Sequence, residues 1–141
     1  MSITYKLADK EDLPALIEVG DQLFDNPIKP ERATEFLDDP RHHLIIAYAN
    51  SHIVGMATGF HYVHPDKDPA LFVNEVAVLD EYQNRGIGRE LVKRLRKHAK
   101  QIGCTEAWVG TEQSNVGARR AYSAAGGTED KEPFILIEFP L

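Results

Sequence analysis

One cysteine is all the thiol chemistry this sequence can offer. Cys104 alone forms no intrachain disulfide and no multi-cysteine zinc site. With no His-Asp arrangement aimed at it, it reads as a structural thiol. Long apolar runs are also missing: none approaches the roughly 20 residues that cross a bilayer. The opening MSITYKLADKED has neither the apolar core of a secretory signal nor an arginine-rich transit pattern. These absences give the expectation of a cytoplasmic protein with no membrane partner. Repeats, low-complexity stretches and linkers are lacking too, so residues 1–141 are expected to form a single domain. No His-Glu-x-x-His or comparable constellation occurs, and no metal is expected.

What is present is an uneven charge. The net charge is −6. Yet Arg85, Arg89, Lys93, Arg94, Arg96, Lys97 and Lys100 face only Glu90 within their segment, a local +6 against −12 over the rest of the chain. A positive patch of this kind draws in an anion, and an acidic remainder draws in a cation. Outer-face Arg and Lys can also simply solvate a helix. Nucleic acid is not expected as the anion, because the remainder is acidic and no aromatic RNA-binding pattern is present.

The order of elements follows from periodicity and turn residues. Residues 2–8 read as a strand. Asp9 then caps a helix with an apolar stripe at Leu13, Leu16, Ile17, Leu23 and Phe24. FDNPIKP ends it, and ERATEFLDD makes a second short helix. Strands over 43–49 and 52–63 make a hairpin, and 70–79 is the next strand. Ile87, Leu91, Leu95, Ala99 and Ile102 recur at helical spacing, with Gly103 as the stop. A strand over 106–112, a helix over 115–125 and a last strand over 133–139 complete the pattern. The adjacent histidines His42 and His43 read as an exposed turn. The implied class is α/β, a mixed sheet with helices on its faces, and the crossover from 70–79 to 106–112 suggests a parallel βαβ unit.

The strand, glycine turn and helix start at EVAVLDEYQNRGIGRE form an anion site in principle. Amides at a helix N-terminus lack intrahelical partners, and glycine lets a phosphate approach the backbone. A tight turn or a cap explains such glycines equally well. A dinucleotide fingerprint fails, because position 91 is Leu where a third glycine is needed. A P-loop fails for want of Gly-Lys-Ser/Thr.

Gln83-x-x-Gly86-x-Gly88 after a strand resembles the Gln/Arg-x-x-Gly-x-Gly/Ala signature of the GNAT superfamily of N-acetyltransferases. Asn115-x-x-Ala118-x-x-x-Tyr122-x-x-x-Gly126 is similar to that family's second cofactor segment. The resemblance implies a central twisted mixed sheet of about six to seven strands flanked by about four helices. It implies acetyl-CoA as acyl donor, with its pyrophosphate on the main chain of Gln83, Asn84, Arg85, Gly86, Ile87, Gly88 and Arg89. It also implies that the pantetheine arm runs along the backbone of Val76, Ala77 and Val78, the Val78 amide facing the acetyl carbonyl. Asn115 would bond the cofactor arm or a helix end, or act as an ordinary cap. Tyr122 would protonate the departing thiolate, its alternative being a core aromatic. Dimerisation is common in the family, so a homodimer is open.

Acetyl transfer needs a neutral amine, a polarised carbonyl and a proton for the thiolate. Glu75 is the first candidate base, since a carboxylate among apolar strand neighbours is costly to bury. Glu112 is the second, and His61 and His64 could also titrate near neutrality. The acceptor would meet Asp25, Glu75 and Glu112 within a broader acidic wall of Asp21, Glu31, Glu35, Asp38, Asp39, Asp66 and Asp68, which suits a polycation. FVNEVAVLDEYQNRGIGRELVKRL and GCTEAWVGTEQSNVGARRAYSAAGG further resemble the aminoglycoside 3-N-acetyltransferase branch. That implies antibiotic modification as one possible role. Polyamines, other amino sugars, protein N-termini and a non-catalytic CoA sensor stand as alternatives.

Overall fold

The computed structural model describes residues 2–141. Five strands form one sheet in the order β1 (Ile3–Leu7), β2 (His42–Ala49), β3 (His52–Tyr62), β4 (Ala70–Val78) and β5 (Glu106–Trp108). Neighbours are antiparallel through β4, and β5 runs parallel to β4. Four helices accompany the sheet: α1 (Leu13–Val19), α2 (Pro30–Asp38), α3 (Ile87–Gln101) and α4 (Val116–Ala124). The parallel βαβ unit expected from the sequence is β4–α3–β5.

Alternation along β2 divides the core. Ile45, Ala47 and Ala49 pack with Ile87, Leu91, Leu95 and Ala99 of α3. Leu44 and Ile46 face the other way, onto Leu16, Val19 and Leu23. Leu91 and Leu95 are wholly buried, and each contributes roughly 1.5–3 kcal/mol of hydrophobic stabilisation. Gly55 on β3 allows α3 to lie this close, since a Cβ there would stand 3.1 Å from Leu91 Cδ1.

Asp12 is buried and acidic, yet fully engaged. It accepts from the Asp9 amide (2.9 Å) and the Tyr48 hydroxyl (2.8 Å), and pairs with Lys6 (3.0 Å). Burial alone would raise its pKa, but these bonds together hold it below the ordinary value.

The structure corrects several expectations. The first helix stops at Gly20, whose φ is +43°, so Val19 takes a core position and Ile17 is left exposed. β5 ends at Trp108, four residues short of the expected 112. Residues 133–139 form no strand at all, so the sheet has five strands where about six to seven were expected. His42 and His43 lie in β2, not in a turn, and His43 is buried.

Candidate functional site

The site begins where two strands part. β4 pairs with β5 only through Ala70–Glu106, Leu71–Ala107 and Phe72–Trp108, then runs on to Val78 without it. Leu79 N donates to Val54 O (2.9 Å), and the Ala77 carbonyl faces Gly55, so these residues turn their polar groups toward β3. Backbone groups alternate sides along a strand. The amides of Val76 and Val78 therefore point into the gap, whereas that of Ala77 does not. The Val78 carbonyl already accepts from Gln83 Nε2 at 3.0 Å, which ties the strand end to the following loop.

That loop makes the cradle. Asn84 (φ +62°) and Gly86 (φ +81°) turn the chain into α3. Gly86 is the N-cap and offers no side-chain acceptor. The first amides of the helix, at Ile87, Gly88 and Arg89, are thus without intrahelical partners, while Glu90 N already bonds Gly86 O. A Cβ on Gly88 would meet only Val78 Cγ2, at 3.9 Å, so the space over these amides is open. Arg85 lies over the Tyr82 ring and donates to Glu81 O (3.0 Å). The Arg89 guanidinium borders Gly86. A donor-only cradle with a positive helix end and two guanidinium groups fits a diphosphate.

On the other side of the sheet lies a cavity of about 570 Å³ between β2–β4 and the segment from α1 to α2. Phe24, Phe36 and Phe60 form much of its wall, and Asp25 and Glu75 bring carboxylates to it. The β3–β4 register steps from Thr58–Glu75 to Gly59–Val73, leaving Asn74 as an extra residue. This bulge brings both Asn74 and Glu75 to the cavity, whereas strict alternation would send them to opposite faces. The Glu75 amide donates to the buried Thr58 hydroxyl (3.1 Å), which holds the bulge in place. Burial, and then the charge of Asp25, raise the Glu75 pKa above the usual carboxylate value.

The remaining candidates are placed as follows. Tyr122 is half-buried on α4, and burial raises its phenol pKa. Asn115 caps α4, its Oδ1 accepting from Ala118 N at 3.1 Å. Glu112 is exposed in the loop after β5 and does not line the cavity. The broader acidic wall is not assembled there either. Glu35 pairs with Arg32, Asp38 with Lys10, and Asp39 with Arg41, while Lys29 and Arg32 line the cavity. His64 packs edge-on against Tyr62.

Sequence reasoning missed a chain of imidazoles. His98 Nε2 lies 2.9 Å from His43 Nδ1, and His43 Nε2 lies 2.8 Å from His61 Nδ1. The residues are 55 and 18 positions apart, and no local spacing signals their meeting. Nor did any signal announce the bulge, apart from an Asn in a strand otherwise rich in β-formers.

The family model described as "Acetyltransferase (GNAT) family" matches residues 11–126. An uncharacterised N-acetyltransferase of Mycobacterium tuberculosis is 28% identical over 102 residues, 72% of this chain. The match spans 63% of the length of that relative, and likewise of its counterpart in Mycobacterium bovis. Among solved structures, an aminoglycoside acetyltransferase from an uncultured soil metagenomic sample, in complex with sisomicin, superposes with a TM-score of 0.86. It is 19% identical, and the match covers 99% of this chain and 96% of that one. Aminoglycoside N-acetyltransferase AAC(6')-Iy in complex with CoA gives 0.78 at 20% identity, covering 97% and 95%. At these identities the structural likeness concerns the fold.

Proposed function

This chain belongs to the acetyltransferase (GNAT) family, and we propose that it moves the acetyl group of acetyl-CoA to a primary amine of a small cationic acceptor, by direct attack in a ternary complex. The observation that carries the reading is the open side of β4 beyond Phe72–Trp108, next to an uncapped α3 N-terminus and backed by a cavity that holds Glu75.

In this reading the diphosphate rests on the amides of residues 86–89, and the thioester lies along β4. The Val78 N–H polarises the carbonyl as its oxygen gains charge. Glu75, with its raised pKa, accepts the ammonium proton directly or through water. The neutral nitrogen then forms its bond to the carbonyl carbon as the carbon–sulfur bond breaks. Tyr122 gives its proton to the leaving thiolate. Glu112, exposed on its loop, is the weaker candidate base. We take the setting to be the cytoplasm and the working assembly to be a homodimer.

For the acceptor we favour an aminoglycoside, acetylated at its 3-amino group, with a cationic centre between Asp25 and Glu75. The superposition on aminoglycoside acetyltransferases supports an aminoglycoside as acceptor, the 3-position rests on the sequence resemblance alone, and antibiotic resistance would follow from it. The phenylalanine wall of the cavity favours a second reading, an amine carried on an apolar body.

Thiol release from acetyl-CoA over a panel of aminoglycosides, polyamines and arylalkylamines separates these possibilities. Turnover of an aminoglycoside with acetylation at the 3-amino group is expected. Turnover confined to arylalkylamines would replace the first acceptor reading with the second. Tight CoA binding with no turnover on any amine would overturn the enzyme reading in favour of a sensor.

A further inference from the structure

Four rings stand in one row across the sheet. His42 of β2 is in register with Phe60 of β3, Phe60 with Phe72 of β4, and Phe72 with Trp108 of β5. Registered partners share a face, and the rings meet in turn, their centroids 6.3, 5.3 and 4.4 Å apart. The row starts inside the cavity, which His42 and Phe60 line, and runs out of it, because Phe72 and Trp108 are not in the cavity wall. At the far end Trp108 is 46% exposed. Glu106, two residues before it on β5, projects from the same face. Its carboxylate is exposed and, among the described residues, carries no ion pair or hydrogen bond.

We propose that the outer end of this row is a second acceptor subsite, where an amino-sugar ring remote from the reacting amine stacks on Trp108 and Phe72 and sets an ammonium group against Glu106. The inference rests on the aminoglycoside reading of the acceptor and states where the rest of that molecule lies. Charge sends it there. Within the cavity Lys29 and Arg32 stand against Asp25 and Glu75, so the cavity seats one ammonium group and repels further positive charge. A polycation must place its other centres outside, and the row of rings is the way out. Glu75 is three residues past Phe72 on β4, about 10 Å at most along a strand, and Trp108 is one strand further, ~4.8 Å away. Two linked sugar rings cover that span. An aromatic face offers flat apolar contact to the C–H face of a sugar, and its quadrupole attracts an ammonium group. The free carboxylate of Glu106 supplies the charge that the indole lacks.

Trp108 is the only tryptophan in the chain, so its fluorescence reports the subsite directly, without turnover. Kanamycin, a three-ring aminoglycoside, is expected to shift and quench that emission with the midpoint that calorimetry gives for binding. Its central ring alone, 2-deoxystreptamine, is expected to leave the emission unmoved. Trp108→Leu should raise the kanamycin KM about tenfold with kcat held. Glu106→Gln, at an exposed position where folding is not at stake, should raise it about threefold to fivefold at low salt. Glu106→Asp should restore part of that loss, and high salt should erase the difference. Unmoved emission at saturating kanamycin would overturn the subsite, as would a KM unchanged in both variants, or emission that answers to phenethylamine and not to kanamycin. Acetylation of kanamycin with still emission would remove this inference alone. Moving emission without acetylation would remove the transfer reading and leave the subsite standing. A chain that neither binds nor acetylates kanamycin would overturn both the subsite and the aminoglycoside reading.

Discussion

The rings of Phe72 and Trp108 sit 4.4 Å apart, centroid to centroid, at the last register pair of β4 and β5. They mark the apex of a wedge. Short of them the strands are hydrogen-bonded; beyond them β4 continues with one edge open to whatever enters. The α3 N-terminus lies at the mouth, so a single short parallel ladder positions both the amides of β4 and the cradle that would hold a diphosphate.

Gly88 tests the cradle without disturbing the fold. Its Cβ would find open space, and a glycine in a helix is less stable than most alternatives by about 0.5–1 kcal/mol. Gly88→Val should leave the denaturation midpoint unchanged or slightly raised. The added methyls would fill the space over the amides, and CoA affinity measured by calorimetry should fall at least about tenfold, about 1.4 kcal/mol. Parental affinity would remove the loop from the cofactor site.

Tyr122 tests the proton donor. Burial raises its pKa above the ordinary phenol value, which keeps it protonated through neutrality and into alkaline solution. Tyr122→Phe should lower kcat by about 10²-fold or more, the scale of general acid catalysis, with CoA affinity nearly unchanged. Equal kcat would assign the ring to packing alone.

Much of this arrangement was legible in the sequence because its causes are local. The αL glycine after a strand, the helical stripe of α3 and the Asn115 cap each depend on a few neighbouring residues. The failures have non-local causes. Glu75 and Asn74 both reach the cavity only because Thr58, on another strand, steadies a bulge. His43 reads as surface until His61 and His98 arrive from β3 and α3. The residues from 133 to 139 have strand composition, but a strand needs a partner, and here they lie unpaired.

Asp25 should set the acid limb of the reaction. Its charge is the second cause, after burial, of the raised Glu75 pKa. A like charge disfavours ionisation, so removing it lets Glu75 deprotonate at lower pH. Asp25→Asn should therefore move the acid limb of kcat/KM downward, and Glu75→Gln should abolish that limb along with most activity. An unmoved limb in Asp25→Asn, with the same limb persisting in Glu75→Gln, would take Glu75 out of the base role.

The imidazole chain should make the fold acid-labile. Burial, and then His98, His61 and His42, push the His43 pKa down to about 4, against the opposing charge of Asp39. An unfolded imidazole takes its proton near 6.5. Between those values the unfolded chain binds a proton that folded His43 refuses. Stability is therefore whole above about pH 6.5 and falls as pH drops toward about 4, by up to about 1.4 kcal/mol per pH unit from this residue. His98 is shifted the same way, by burial and then by His61, and adds to the slope. His43→Leu should cost stability at pH 7.5, because His61 and His98 lose their partner, yet flatten the decline below pH 6.5. Urea midpoints between pH 4.5 and 7.5 for the two proteins decide it: parallel curves would mean that the acid sensitivity does not arise from His43.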